Sequence, residues 1–525
     1  MDTARRPCSS AIIASALSLS VGWGIRGNFG HEFGAMIPGA LAAMAAVLLS
    51  GRDDWSRRIA YFGFFGALGW SFGGSISYMQ VIAYTHSGHP MSVLYGFACL
   101  FVIGFLWAAM GGAGTALPAC VTHEELGEFF PPLTAVFVAW CVQDIVVDWL
   151  AATDPQFRQA SPLYWYDTDW LGVLVAIAAV LGLALVRRRI DPASALMLHM
   201  AIGWWAGFLI LVVGLGWRMT PPHGDNWAGC VGMVLGMWVW LQRRGWHGVT
   251  AASLVSGFVG GFGFATATML KLVEVKTGWQ TNWHSILEQT YGLINGIGIA
   301  IAMICLARET PATKNEPQTR RWTGPYAVIF LMLVVTYLNL RKNPEVWVKA
   351  GAVPAALYGL SVETWFNIGY ALVACVFIGL VVTHRRRGIP LVPATDLGRG
   401  QLLYLAFLWW MVVGNFERAL VSFAPQRLVT EGVILINAAL CTALVLLGTP
   451  ALERFAQPTR VHHRWFIRRI GVGGLAAAAL IVLVDWGVVR AVWGNQFAGY
   501  AGLHIRFGPN ATATKAKPPP DKPHP

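Results

Sequence analysis

The chain has 525 residues, 56% of them hydrophobic and only 12% charged, and its mean hydropathy is +0.54. That charge fraction is about half of what a soluble domain carries, so composition excludes a soluble globular enzyme, a disordered chain and a secreted disulfide scaffold. The net charge of +12 would point to nucleic acid in a soluble protein. Here the basic residues sit in short clusters between apolar runs, which reads as loop charge that sets membrane orientation and not as nucleic-acid binding.

A membrane-spanning helix needs about 20 mostly apolar residues. In chain order, about fifteen segments meet that need: 9–25, 33–50, 59–83, 93–118, 131–150, 170–186, 194–217, 227–242, 249–272, 289–307, 324–341, 366–383, 401–421, 430–448 and 470–490. The first follows Arg5 and Arg6 as a signal peptide would. It runs into Gly22-Trp23-Gly24 without a small-residue cleavage pattern, and so reads as a retained helix. The expected fold class is an all-α polytopic membrane protein.

Alternation from a cytoplasmic N-terminus places most Lys and Arg on the inner side, including Arg187-Arg188-Arg189 and Arg385-Arg386-Arg387. The segment 119–131, with Glu124, Glu125 and Glu128 and no Lys or Arg, is the exception. An odd span count sends the C-terminus outside, where the Pro- and Lys-rich tail is expected to be partly disordered. The expected location is the plasma (inner) membrane.

Self-similarity at an offset of about 191–198 residues suggests a duplication. Arg26 and Arg218 are 192 apart, as are His31 and His223, while Gly39 matches Gly232 and Tyr95-Gly96 matches Tyr291-Gly292. Six helices per unit is an even number, so the two copies would be parallel repeats. The expected organisation is a first repeat at 1–190, a second at 191–388, a three-helix unit at 389–490 and an outer tail at 491–525.

The densest polar constellation is Arg26-Gly27-Asn28-Phe29-Gly30-His31-Glu32, at the junction of the first two spans. Glycine permits close backbone approach, and irregular backbone at membrane depth survives only inside protein or beside water. Arg26, His31 and Glu32, with their counterparts Arg218, His223, Asp225 and Asn226, are therefore expected to form a substrate site between the repeats. Asp144 and Asp148 share a helix face at i,i+4, and Lys271 and Glu274 can pair at i,i+3. These four, with Glu417 and Arg418, are expected to couple protons or ions, against the plain alternative of polar pairs that fix helix packing.

Tyr164-Trp165-Tyr166-Asp167-Thr168-Asp169-Trp170 contains an Asp-x-Asp, but its aromatics suit a membrane interface better than a metal site. Ala35 stands where His-Glu-x-x-His would need a second histidine, and the eight cysteines contain no Cys-x-x-Cys. No metal and no cofactor is expected. Two functions remain open: a transporter of a small organic substrate, anionic or sugar-like, or an integral-membrane enzyme acting on a lipid-linked or acyl substrate through His31 and Glu32 or Asp144. The expected partners are the lipid bilayer and a small-molecule substrate, with no nucleic acid; oligomeric state is not legible.

Overall fold

The computed structural model describes residues 8–30, 32–73, 75–153, 165, 168–219, 225–310, 320–421, 425–448 and 463–494. His31, His223, Asp167 and the tail beyond residue 494 therefore lie outside the described residues.

Among the described residues the regular secondary structure is helical apart from one two-stranded hairpin. The helices are α1 (Cys8–Phe29), α2 (Glu32–Leu48), α3 (Ile59–Gly73), α4 (Met79–Thr85), α5 (Pro90–Cys120), α6 (His123–Thr153), α7 (Trp170–Arg187), α8 (Pro192–Gly207), α9 (Asn226–Arg244), α10 (His247–Thr277), α11 (Trp283–Glu309), α12 (Thr323–Ile329), α13 (Asn343–Lys349), α14 (Val362–Arg387), α15 (Asp396–Val421), α16 (Leu428–Leu447) and α17 (His463–Trp493). Among the described residues eleven helices are long and apolar enough to cross a membrane. Four of the fifteen expected spans, those at α1, α2, α3 and α9, are not among these eleven, and α2 and α3 are short apolar helices of 17 and 15 residues.

Three expected spans have a different internal form. The span read as 59–83 breaks after α3, and the chain re-enters helix only at Met79. α8 continues into a π-helical stretch at Phe208–Gly214, and α12 into another at Phe330–Val335 followed by a final α-turn at Thr336–Leu340. The span read as 289–307 begins six residues earlier, at Trp283.

An inner bundle of α1, α2, α3, α5, α10 and α11 holds the core, and α14 has no buried residue within its apolar stretch. Lipid is as apolar as leucine, so helices in a membrane associate through close packing of small residues. The bundle follows that rule. Gly39 of α2 meets Gly66 of α3, Gly69 of α3 meets Gly114 of α5, and Gly104 of α5 meets Gly260 of α10. In the α8–α9 hairpin the close contact is Gly203 and Gly207 against Gly232. Gly39 and Gly232 thus face different neighbours, one the following helix and the other the preceding helix.

The α1–α2 turn is fixed by Gly30, whose φ of +106° is strained for any residue with a side chain. It brings the ends of α1 and α2 against α11, α15 and α16.

Candidate functional site

Arg26 closes the last turn of α1 and is buried, with its side chain 3% exposed. Its guanidinium lies over the rings of Trp23 and Trp107, 5.2 and 5.9 Å from their centroids. These rings belong to an aromatic wall. Trp23 stacks on Trp107 at 5.2 Å and meets Tyr291 edge-on at 5.0 Å, and Trp107 packs against Phe264 at 4.9 Å.

The counter-ion of Arg26 is Glu288 on α11, whose side chain is 1% exposed. Three groups converge on its Oε1: the Arg26 guanidinium, the Tyr78 hydroxyl, which donates at 2.9 Å, and His284 Nε2 at 3.3 Å. His284 stands one helical turn before Glu288, its ring parallel to that of Tyr78, and its Nε2 is 3.1 Å from the Tyr78 hydroxyl. The other carboxylate oxygen, Oε2, is buried and has no hydrogen-bond partner among the described residues. It points at Gly27, where an added Cβ would lie 2.8 Å away. Gly27 is exposed and the His284 side chain is 35% exposed, so the buried carboxylate sits directly behind two accessible residues.

A second polar chain starts at the next residue. The Asn28 amide donates to Asn415 Oδ1 at 2.6 Å, and the Asn415 amide donates to Glu431 Oε2 at 2.6 Å, which ties the turn to α15 and α16. Lys342 donates to the Phe29 carbonyl at 2.5 Å, Arg418 lies over the Phe29 ring at 5.7 Å, and the Asn339 amide donates to the Phe33 carbonyl at 3.1 Å. Glu32 opens α2 in an exposed position. The α1–α2 turn therefore gathers charged and polar side chains from α11 and from the segments between Asn339 and Glu431.

The expected counterpart behaves otherwise. Arg218 pairs with Asp225, which is fully buried and also accepts from the Met219 amide at 3.0 Å and the Trp227 indole at 3.3 Å. Asn226 accepts from the Asp169 amide at 2.9 Å and donates to the Asp169 carboxylate at 2.7 Å and the Ser75 carbonyl at 3.2 Å. These bonds knot the start of α9 to two loops. Arg26 and Arg218 each pair with a carboxylate, Glu288 and Asp225 respectively.

Of the other expected residues, Lys271 and Glu274 form their i,i+3 pair on α10. Asp144 and Asp148 are exposed on α6, and Arg341 acts electrostatically on Asp144. The Glu417 carbonyl accepts from the Trp347 indole at 3.3 Å, while Arg418 turns to Phe29.

Sequence reasoning passed over Tyr78, His284, Glu288, Asn415 and Glu431. The usable signal was His284 and Glu288 at i,i+4, a pair of titratable groups on one helix face. Starting that span at residue 289 left both in a loop, where charge carries no cost. No family model matches the chain, and no curated protein or solved structure is significantly similar to it.

Proposed function

We propose that this multi-pass membrane protein is a transporter of a small organic anion and that it carries its substrate together with a proton through the Arg26–Glu288 centre. The supporting observation is a buried ion pair that joins the first expected unit to the second, with one carboxylate oxygen unpartnered behind the exposed Gly27.

The mechanism follows from the cost of buried charge. An ion removed from water must stay paired. With Glu288 ionised, Arg26 is neutralised internally and has no charge to offer a substrate. A substrate carboxylate or phosphate entering past Gly27 competes with Glu288 for Arg26. As Arg26 turns to the substrate, Glu288 loses the cation that holds it ionised and takes up a proton. Proton and anion bind together and leave together, and the site never holds an unmatched charge. Glu32 and His284 form the rim that meets the substrate, and the Trp23–Trp107 wall offers an apolar face to its organic part.

In this reading the units at 1–190 and 191–388 are parallel repeats that move against each other around the centre. The N-terminus faces the cytoplasm and the C-terminus the outside of an inner membrane. Arg218, Asp225 and Asn226 hold the fold instead of the substrate. The test is uptake of a panel of organic anions and sugars into proteoliposomes under an imposed proton gradient. Substrate-independent behaviour of Glu288→Gln and Arg26→Met would overturn the assignment.

A second reading rests on a different observation. An apolar cavity of about 160 Å³ lies between α3, α5, α6, α7, α8 and α9, walled by residues such as Phe72, Met110, Met200 and Met237. It suits the hydrocarbon part of a lipid-linked substrate, on which His284 and Glu288, in place of His31 and Glu32, would act as base and acid. Chemical turnover of a lipid-linked substrate by the purified protein decides for this reading.

A further inference from the structure

A groove runs between α6, α7 and α12 on the outside of the bundle, separate from the centre at Arg26. It is a shallow, open groove of about 680 Å³, lined by Pro131, Thr134, Ala135, Val138 and Ala139 of α6, Ala179 and Arg187 of α7, and Trp322 and Tyr326 at the start of α12. Its composition changes along its length. Arg187 and Trp322 lie at one end, where α7 finishes and α12 starts. The Thr134 hydroxyl donates to the Tyr326 hydroxyl at 3.0 Å just inside them. Beyond these the walls are only Ala135, Val138, Ala139 and Ala179. Ala179 stands eight residues before Arg187, so the apolar part lies about 12 Å deeper at 1.5 Å per residue.

The charge at the mouth is basic. Arg187 is joined there by Arg188 and Arg189, and Arg320 and Arg321 precede Trp322 on the same side. The acidic residues in this region are partly engaged: Asp191 meets Arg187 at 3.6 Å and Glu128 meets Arg189 at 3.8 Å. A single ion pair occupies a fraction of the five donors of a guanidinium, and the Arg187 side chain remains 31% exposed.

A cationic mouth, an aromatic pair at the boundary and a hydrocarbon-lined interior match one molecule in order: an anionic phosphate, a glycerol ester region and an acyl chain. Trp and Tyr prefer the level of lipid headgroups, and basic pockets between membrane helices bind anionic headgroups. We infer that this groove is a binding site for one anionic glycerophospholipid, with its phosphate at Arg187 and an acyl chain along Val138, Ala139 and Ala179. The bound lipid would lie along the outside of the α6–α12 contact and cover the groove that α7 leaves open beside it.

The experiment uses the full chain in nanodiscs doped with a phosphatidylglycerol that carries a diazirine in one acyl chain. After irradiation, cross-linked peptides are mapped by mass spectrometry. The site predicts cross-links concentrated on 131–139 and 179 relative to the lipid-exposed α14. In Arg187→Gln it predicts about a fivefold fall in that labelling, the loss of roughly one headgroup charge contact, with labelling unchanged in Arg385→Gln. Ala139→Trp, which fills the groove without touching the mouth, should abolish the same cross-links, so the idea stays testable if Arg187→Gln does not fold. Even labelling of α14 and α6, or an Arg187→Gln profile equal to that of the unaltered protein, would overturn the site. Displacement of the cross-link by excess inorganic phosphate would also overturn it, because it would mark a site for a free anion.

Discussion

Arg26 and Glu288 are 262 residues apart in sequence and form one buried ion pair, sandwiched between an aromatic wall and the accessible residues Gly27 and His284. A pair so placed is weak evidence for stability, since burying two charges costs roughly what their attraction returns. Its value must therefore be sought in what happens when one partner is neutralised.

Removing one partner strands the other. Arg26→Met should destabilise the folded protein by about 3–5 kcal/mol. The double variant Arg26→Met/Glu288→Met replaces both charges with apolar volume and should recover most of that loss. Thermal unfolding in detergent measures both. A double variant as unstable as the single one would show that the pair matters through other contacts.

Gly27→Ala places a methyl group 2.8 Å from Glu288 Oε2. Such overpacking costs about 1–3 kcal/mol, and here it also blocks the approach to the carboxylate. The expected outcome is a loss of uptake larger than the loss of folded protein. Gly182→Ala on α7, where an added Cβ meets nothing within 4 Å, is the control and should leave both unchanged.

The Asn28–Asn415–Glu431 chain predicts coupling between elements far apart in sequence. Asn415→Leu removes the partner of both neighbours, and each buried group left unsatisfied costs about 1–3 kcal/mol. In a double-mutant cycle, Asn28→Leu and Asn415→Leu, at positions 387 residues apart, should show an interaction energy of about 0.5–3 kcal/mol. Strict additivity would contradict the hydrogen bond.

Arg218 and Asp225 should behave as structural residues. Asp225→Ala leaves Arg218 without its counter-ion and is expected to lower stability by about 3–5 kcal/mol, while the protein that remains folded keeps its substrate KM. A shifted KM with intact stability would return both residues to the substrate site.

The membrane class and most of the helix positions were legible because they depend on a local quantity, apolar run length. Arg26 and Glu32 drew notice as charges in a short list. What stayed hidden depends on packing between distant segments. Glu288 has meaning only once α11 is placed against α1, and its role was masked by a span boundary set six residues too late. The offset of 192 made Arg218 look like a second Arg26, but sequence cannot reveal that Asp225, seven residues on, already neutralises it. Pairing partners are the part of a buried electrostatic site that no single segment encodes.

The most direct test is uptake of organic anions into proteoliposomes with and without an inward proton gradient, comparing the unaltered protein with Glu288→Gln. Glutamine keeps the shape of the protonated carboxyl but has no proton to release. The account predicts that the unaltered protein accumulates substrate in response to the gradient, and that Glu288→Gln loses this accumulation while still exchanging substrate across the membrane. Gradient-driven accumulation that survives in Glu288→Gln would contradict it.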